Sequence, residues 1–241
     1  MVLILHASDL HFGAEDSSAL DWFRREAEAR QPDAILITGD LTMRARSHEF
    51  VAARDWLATL PSPVSVEVGN HDLPYFDLIA RFFRPYRRYG AVERFIERPL
   101  LLDDVAIVPL RTTARVQWRL NWSKGHLTGK RVEEAVVGLR ASSARHRLVT
   151  CHHPLVEAGT QGTARTRGGA KALAALARAG ASAVLSGHVH DPFDRTVEAE
   201  GHSIRLIGAG TLSERVRGSY PSFNVIGIDG AAMDVKVSVA I

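Results

Sequence analysis

Val64-Ser65-Val66-Glu67-Val68-Gly69-Asn70-His71-Asp72 is the stretch on which the fold of this chain turns. A run of β-branched residues predicts a strand over 64–68, and the Gly-Asn-His-Asp turn after it presents an amide, an imidazole and a carboxylate at the strand end. The same hand-over recurs along the chain. Short apolar runs lead into Asp9-x-His11, Gly39-Asp40, His152-His153 and Gly187-His188-x-His190, so each group is expected at the end of a strand.

Working outward, Val2 to Ala7 predicts the first strand, Ala19 to Arg30 a helix stopped at Gln31-Pro32, and Ala34 to Thr38 the second strand. Ser47 opens a helix that Pro61 and Pro63 stop. Strand, helix, strand, helix, strand within the first 70 residues predicts a layered α/β fold. Beyond the turn, Tyr75 to Tyr89 reads as helical at least to Arg84, where Pro85 interrupts. Glu93 to Trp118 reads as strands, at Leu100–Leu102 and Val105–Leu110. A helix follows from Leu127-Thr128 to about Ala141, then a strand over His146–Cys151, a helix over Gly168–Ala179 and a strand over Ala183–Ser186. Glu157 to Gly169, rich in Gly and Thr, is expected as a loop beside the site. Thr196–Glu200, Ser203–Ile207, Phe223–Ile228 and Met233–Val239 predict antiparallel strands.

The 241 residues suit one domain, 1–241, with a well-buried core. Apolar content of 46% and charged content of 24% are those of an ordinary soluble protein. The formal balance of +3 is too mild to argue for nucleic acid, although its arginine-rich basic side suits phosphate. No stretch approaches the ~20 apolar residues of a membrane helix, and the start lacks a leader pattern, so a cytoplasmic protein without membrane insertion is expected. The lone Cys151 excludes an internal disulfide and reads as a buried small residue.

Asp9 and His11 are two apart, so on an extended strand end both side chains point to one ion. Gly39 lets the backbone turn and present Asp40, whose carboxylate can bridge two cations. His188 and His190 repeat the two-apart spacing. Asp9, His11, Asp40, Asn70, His152, His188 and His190 make seven nitrogen or oxygen donors with no sulfur, which suits divalent Mn, Fe or Zn. Seven are too many for one tetrahedral ion and right for two ions sharing a bridge. His153, next to His152 on an extended segment, points to the opposite side, either toward substrate or into packing. His6, His48, His126, His146 and His202 have no such partners and are assigned to surface or fold.

In order and approximate spacing, these motifs resemble those of the calcineurin-like metallophosphoesterases, over residues 9–190. Gly39-Asp40-Leu41-Thr42, His152-His153-Pro154 and Gly125-x-Leu127 look most like the bacterial cyclic-nucleotide phosphodiesterase branch. The resemblance implies a four-layer α/β sandwich with mixed sheets and with metals at the carboxyl ends of its strands. It implies two divalent ions, one held by Asp9, His11 and His190, the other by Asn70, His152 and His188, with Asp40 bridging. It further implies that His71 acts near the phosphate as an acid or electrostatic partner, and that Asp72 orients it.

Met43-Arg44-Ala45-Arg46 and Leu155 depart from that branch, and Arg215 and Arg217 offer a late pair of guanidiniums for a phosphate. The resulting expectation is a metal-dependent hydrolase of a small phosphodiester or nucleotide-like substrate. The alternatives are a DNA-processing nuclease, for which the charge is low, and a non-catalytic scaffold, which would have lost ligands. Oligomeric state is not readable.

Overall fold

The computed structural model describes residues 1–115, 122–163 and 166–240. In chain order the elements are β1 (Val2–Ala7), α1 (Ser17–Arg30), β2 (Ala34–Ile37), α2 (Ser47–Leu57), β3 (Val64–Val66), α3 (Leu78–Phe83), α4 (Tyr89–Ile96), β4 (Val105–Pro109), α5 (Gly129–Ala141), β5 (His146–Thr150), α6 (Gly169–Arg178), β6 (Ala183–Ser186), β7 (Phe193–Ala199), β8 (His202–Gly208), β9 (Ser222–Asp229) and β10 (Ala232–Val239).

They form two five-stranded mixed sheets, ordered β10-β9-β1-β2-β3 and β4-β5-β6-β8-β7. Strands β1, β2 and β3 run parallel, as do β4, β5, β6 and β8, while β9, β10 and β7 add antiparallel edges. The alternation of side chains along each strand builds the layers. In β1, Leu5 and Ala7 face α1 and α2, packing with Leu20, Phe23, Phe50 and Leu57, whereas Val2 and Ile4 face the other sheet, meeting Leu148, Ala183, Leu185 and Ile207. Val149, Val184 and Leu206 face away again, toward α5 and α6. The order helices, sheet, sheet, helices is the expected four-layer sandwich, and each fully buried Leu or Ile contributes about 1.5–3 kcal/mol of transfer free energy.

Local chemistry sets the helix ends. Asp16 caps α1 by accepting from the Ala19 amide at 3.0 Å, and Gln31 ends it in the left-handed region, at φ 49°. Glu49, inside α2, accepts from the amides of Arg44 and Arg46 at 2.8 and 3.0 Å, fixing the loop that leads into it.

The stretch after the central turn departs from expectation. The helix read from Tyr75 to Arg84 spans only Leu78–Phe83, between Pro74 and Pro85. Glu93 lies in α4 and is not strand. Tyr89, Val92 and Ile96 repeat at helical spacing and pack on the first sheet, with the Tyr89 hydroxyl donating to Val66 O at 2.6 Å. Leu100–Leu102 is irregular, although Leu100 and Leu102 pack against the layer between the sheets. The last part of the strand region read to Trp118, 116–118, lies outside the described residues.

Candidate metal centre

The sheets place their parallel strands so that β1, β2, β3, β5 and β6 all end at one place, and the loops that follow carry Asp9, Asp40, Asn70, His152 and His188. Backbone bonds continue past the strand ends and hold these loops together. Asp9 N donates to Gly39 O, and His11 N to Asp40 O, each at 3.0 Å.

Asp9 and His11 do converge, but not through an extended pleat. Asp9, His11, Asp40, His188 and His190 all have positive φ, from 49 to 70°. Left-handed backbone at non-glycine residues costs of order 1–3 kcal/mol each and persists where the surroundings over-determine it. Gly39 turns at φ 97°, and a Cβ there would meet His152 Nδ1 at 2.6 Å. A Cβ on Gly69 would meet the Asp40 amide nitrogen at 2.1 Å, so only glycine lets the Asn70 turn approach Asp40.

Three imidazoles are aimed in the same way. Nδ1–H of His71 donates to Met43 O at 2.7 Å, that of His152 to Thr38 O at 2.8 Å, and that of His190 to Arg215 O at 2.6 Å. A carbonyl only accepts, so each ring keeps its Nε2 lone pair for the interior. His190 Nε2 lies 3.0 Å from Asp9 Oδ1 and 3.3 Å from His11 Nε2. His152 Nε2 lies 3.3 Å from Asp40 Oδ2 and 3.2 Å from Asn70 Oδ1, and the same Asp40 oxygen is 3.9 Å from His11 Nε2. The His188 ring centroid is 5.2 Å from that of His152.

Donor atoms gather within 4.8 Å of one another in four overlapping sets: Asp9-His11-His190, Asp9-Asp40-His152, His11-Asp40-His71 and His152-His153-His188. Asp9 Oδ1, His11 Nδ1 and Asn70 Nδ2 are buried with no hydrogen-bond partner among the described residues. Facing lone pairs and a carboxylate oxygen left unsatisfied in the interior fit divalent cations, which need such donors.

The electrostatics agree. Burial would push the carboxyls up, yet His190 and His11 hold Asp9 well below the usual carboxylate range, and His152 and His71 do the same for Asp40. Burial disfavours the charged form of His152, but Asp40 outweighs it and raises this imidazole to about 9. His11 and His188 are pushed down, chiefly by burial. The two carboxylates thus make a negative well that takes up positive charge.

Asp72 does not touch the His71 ring. Its carboxylate accepts from the amides of Leu41, Thr42 and Gly69 at 3.2, 2.9 and 2.9 Å, so it staples the Asp40 loop to the Asn70 turn, and Met43 O orients His71 instead. His153 is fully buried. Its Nε2 donates to Ser123 O and its Nδ1 pairs with the Thr112 hydroxyl, both at 2.9 Å, which occupies the ring from both sides. Arg215 does reach the centre, with Nη1 3.1 Å from His71 Nε2 and 3.3 Å from His11 Nε2. Arg217 lines the same pocket, of about 320 Å³.

The rest of that rim was not singled out by motif. Lys124, Gln161 and Thr163 line it, and Lys124 Nζ donates to Thr163 O and Oγ1 at 2.8 Å. The loop expected from Glu157 to Gly169 does stand beside the site through Gln161 and Thr163, its residues 164–165 lying outside the described residues. Only the Gly/Thr composition pointed there, and Lys124 carried no signal. A larger cavity of about 700 Å³ lies between edge strands β3 and β4, around Glu67 and Arg111, and holds none of the residues of the donor sets.

The family model of the calcineurin-like phosphoesterases matches residues 2–192, and the chain belongs to that family. Together with the His/Asp clusters, this is consistent with a metal-dependent phosphoester hydrolase. Among solved structures, the purple acid phosphatase PPD1 of yellow lupin seeds aligns with TM-score 0.67 at 12% identity, over 98% of this chain and 51% of that one. PhoD aligns with TM-score 0.65 at 10% identity, over 93% and 63%. GAP50, the anchor in the inner membrane complex of Plasmodium, aligns with TM-score 0.60 at 13% identity, over 98% and 84%. The chain therefore spans about half of the lupin enzyme and less than two thirds of PhoD. At such identities the likeness is one of fold. No helix among the described residues is long and apolar enough to cross a membrane.

Proposed function

We propose that the protein, acting as a single domain, is a two-metal phosphodiesterase of the cytoplasm that hydrolyses a small diester, a cyclic nucleotide or a similar phosphoester. The observation that carries this reading is Asp40, whose Oδ2 stands between His11 and His152, members of two different donor sets, at 3.9 and 3.3 Å. Asp9, His11 and His190 would hold one ion, Asn70, His152 and His188 the other, and Asp40 both. Mn, Fe or Zn suits these donors. When bound, such a pair supplies an activated water and charge stabilisation for in-line displacement at phosphorus.

The chain's own residues have distinct tasks. Arg215, whose Nη1 sits within 3.3 Å of both His11 and His71, holds a phosphoryl oxygen, and Arg217 and Lys124 add positive charge at the rim. With Nδ1–H fixed on Met43 O, His71 turns Nε2 toward the reacting phosphoryl group, and a proton taken up on that nitrogen would pass to the departing oxygen. Asp72 keeps the Asp40 loop and the Asn70 turn in register, as a positioning residue. The rim of the pocket favours a small substrate over a nucleic-acid strand, which would need a long basic groove.

The test is metal content of the purified protein with hydrolysis of an activated diester and of a monoester in the same preparation, before and after chelation and Mn restoration. Two metals per chain and Mn-restored, diester-preferring turnover are expected. Monoester preference would overturn the diesterase assignment, and no metal with no turnover would overturn the whole reading.

A further inference from the structure

The surface next to the metal centre is built inside out. The Tyr75 ring stacks on His71 with centroids 6.5 Å apart, and Phe76 follows 6.0 Å further on. Helix α3 then points its apolar side chains to solvent, with Ile79 75% and Phe83 80% exposed and Leu78 and Phe82 also exposed. Its buried residue is Arg81, whose guanidinium donates to the carbonyls of Leu73, Pro74, Ala114 and Arg115 at 2.9–3.4 Å. An ordinary surface helix buries its apolar stripe and exposes its charge. Here the arginine anchors the helix and holds an apolar wedge in water, and a contiguous patch of that kind marks an interaction surface.

The frame of the wedge is basic. Arg84, Arg87 and Arg88 line one flank of α3. Asp77 lines the same flank, three arginines to one carboxylate, and caps the helix by accepting from Ala80 N at 2.8 Å, while Glu97 accepts from Ser65 and Val66. A second copy of the chain would bring arginines against arginines. An anionic bilayer interface takes both parts at once, the apolar side chains below the headgroups and the guanidiniums at their phosphates.

We infer that Tyr75-Phe76 and α3 dock this protein on an anionic lipid surface. Docking does not depend on the reaction. Its corollary, that the pocket beside His71 receives phosphoesters held in that surface, rests on the phosphoesterase reading.

The test is co-sedimentation of the full chain with phosphatidylcholine vesicles, with and without phosphatidylglycerol, alongside hydrolysis of a water-soluble ester. The chain is expected to bind the anionic vesicles, with salt weakening binding. Leu78→Ser/Ile79→Ser/Phe83→Ser should lower binding about tenfold or more, and Arg84→Gln/Arg87→Gln about fivefold per arginine, with water-soluble turnover unchanged in both. Absence of binding to anionic vesicles, or equal binding by the apolar variant, overturns the inference. So does a wild-type dimer that the apolar variant converts to monomer without any vesicle binding, which would make the patch a self-interface. Vesicle binding with no turnover of any ester would instead remove the phosphoesterase reading and leave docking standing.

Discussion

His152 and His6 are equally hidden, at 1% and 0% exposure, and the regions they belong to behave in opposite ways. His152, beside Asp40, is raised to about 9, while His6 is pushed down to about 3, because burial there outweighs the distant Asp9. His6 is satisfied by neutral partners, pairing with Thr38 Oγ1 at 3.0 Å and accepting from Asn224 Nδ2 at 3.2 Å. His153, also pushed down to about 3, is bonded in the same manner. Burial therefore does not make a histidine a metal ligand. A carboxylate within reach of Nε2 is what raises His152, and beside it lie buried imidazoles bonded to neutral partners that serve the fold.

The largest effect should come from removing the charge that separates the two regions. Asp40→Asn is expected to lose metal and to lower turnover at least ~10³-fold, because the shared carboxylate is what draws cations in. His153→Asn should retain both metals. Metal analysis of the two proteins decides this, and a fully loaded Asp40→Asn would erase the distinction between the centre and the neutrally bonded imidazoles.

A smaller loss is expected from His71→Ala, about 10²–10⁴-fold in turnover with metal content unchanged, since the hydrogen-bond partner of its Nε2 is Arg215. Empty sites in that variant would move His71 into the ligand set.

The smallest effect lies in the neutrally bonded imidazoles and is read as stability. His6 has a folded pKa of about 3 against 6.5 in the unfolded chain, so below pH 6.5 the unfolded state takes up a proton that the folded state refuses. Its contribution is fully present above pH 6.5 and is lost as pH falls toward 3, by about 2 kcal/mol between pH 6.5 and 5. Urea unfolding should show His6→Gln with a flatter dependence over that window. An unchanged slope would place His6 outside this neutral set.

The sequence carried much of the centre because its chemistry is local. A strand end followed by a small residue and a donor is written within a few positions, so Asp9, His11, Asp40, Asn70, His152, His188 and His190 could be named as donors without coordinates, whereas their division into two groups came only with the family resemblance. The strands β1 and β2 were readable for the same reason, since Leu5, Ile35 and Ile37 belong to short apolar runs, while their pairing came from the structure. The period was misread at one place: Glu93 to Ile96, expected as the start of a strand region, belong to α4, and the exposure of Phe82 and Phe83 with Arg81 inside carried no sequence signal.

Other features could be decided only in three dimensions. Which ring nitrogen faces inward depends on carbonyls far away in sequence, Thr38 for His152 and Arg215 for His190. That Asp72 binds loop amides rather than His71, and that Lys124 meets Thr163 at the rim, follows from loops brought together by separate strands. Residue type and spacing determined which donors this chain offers. The packing of two sheets determined which of them share a low-dielectric interior, and hence whether a buried imidazole attracts positive charge or refuses it.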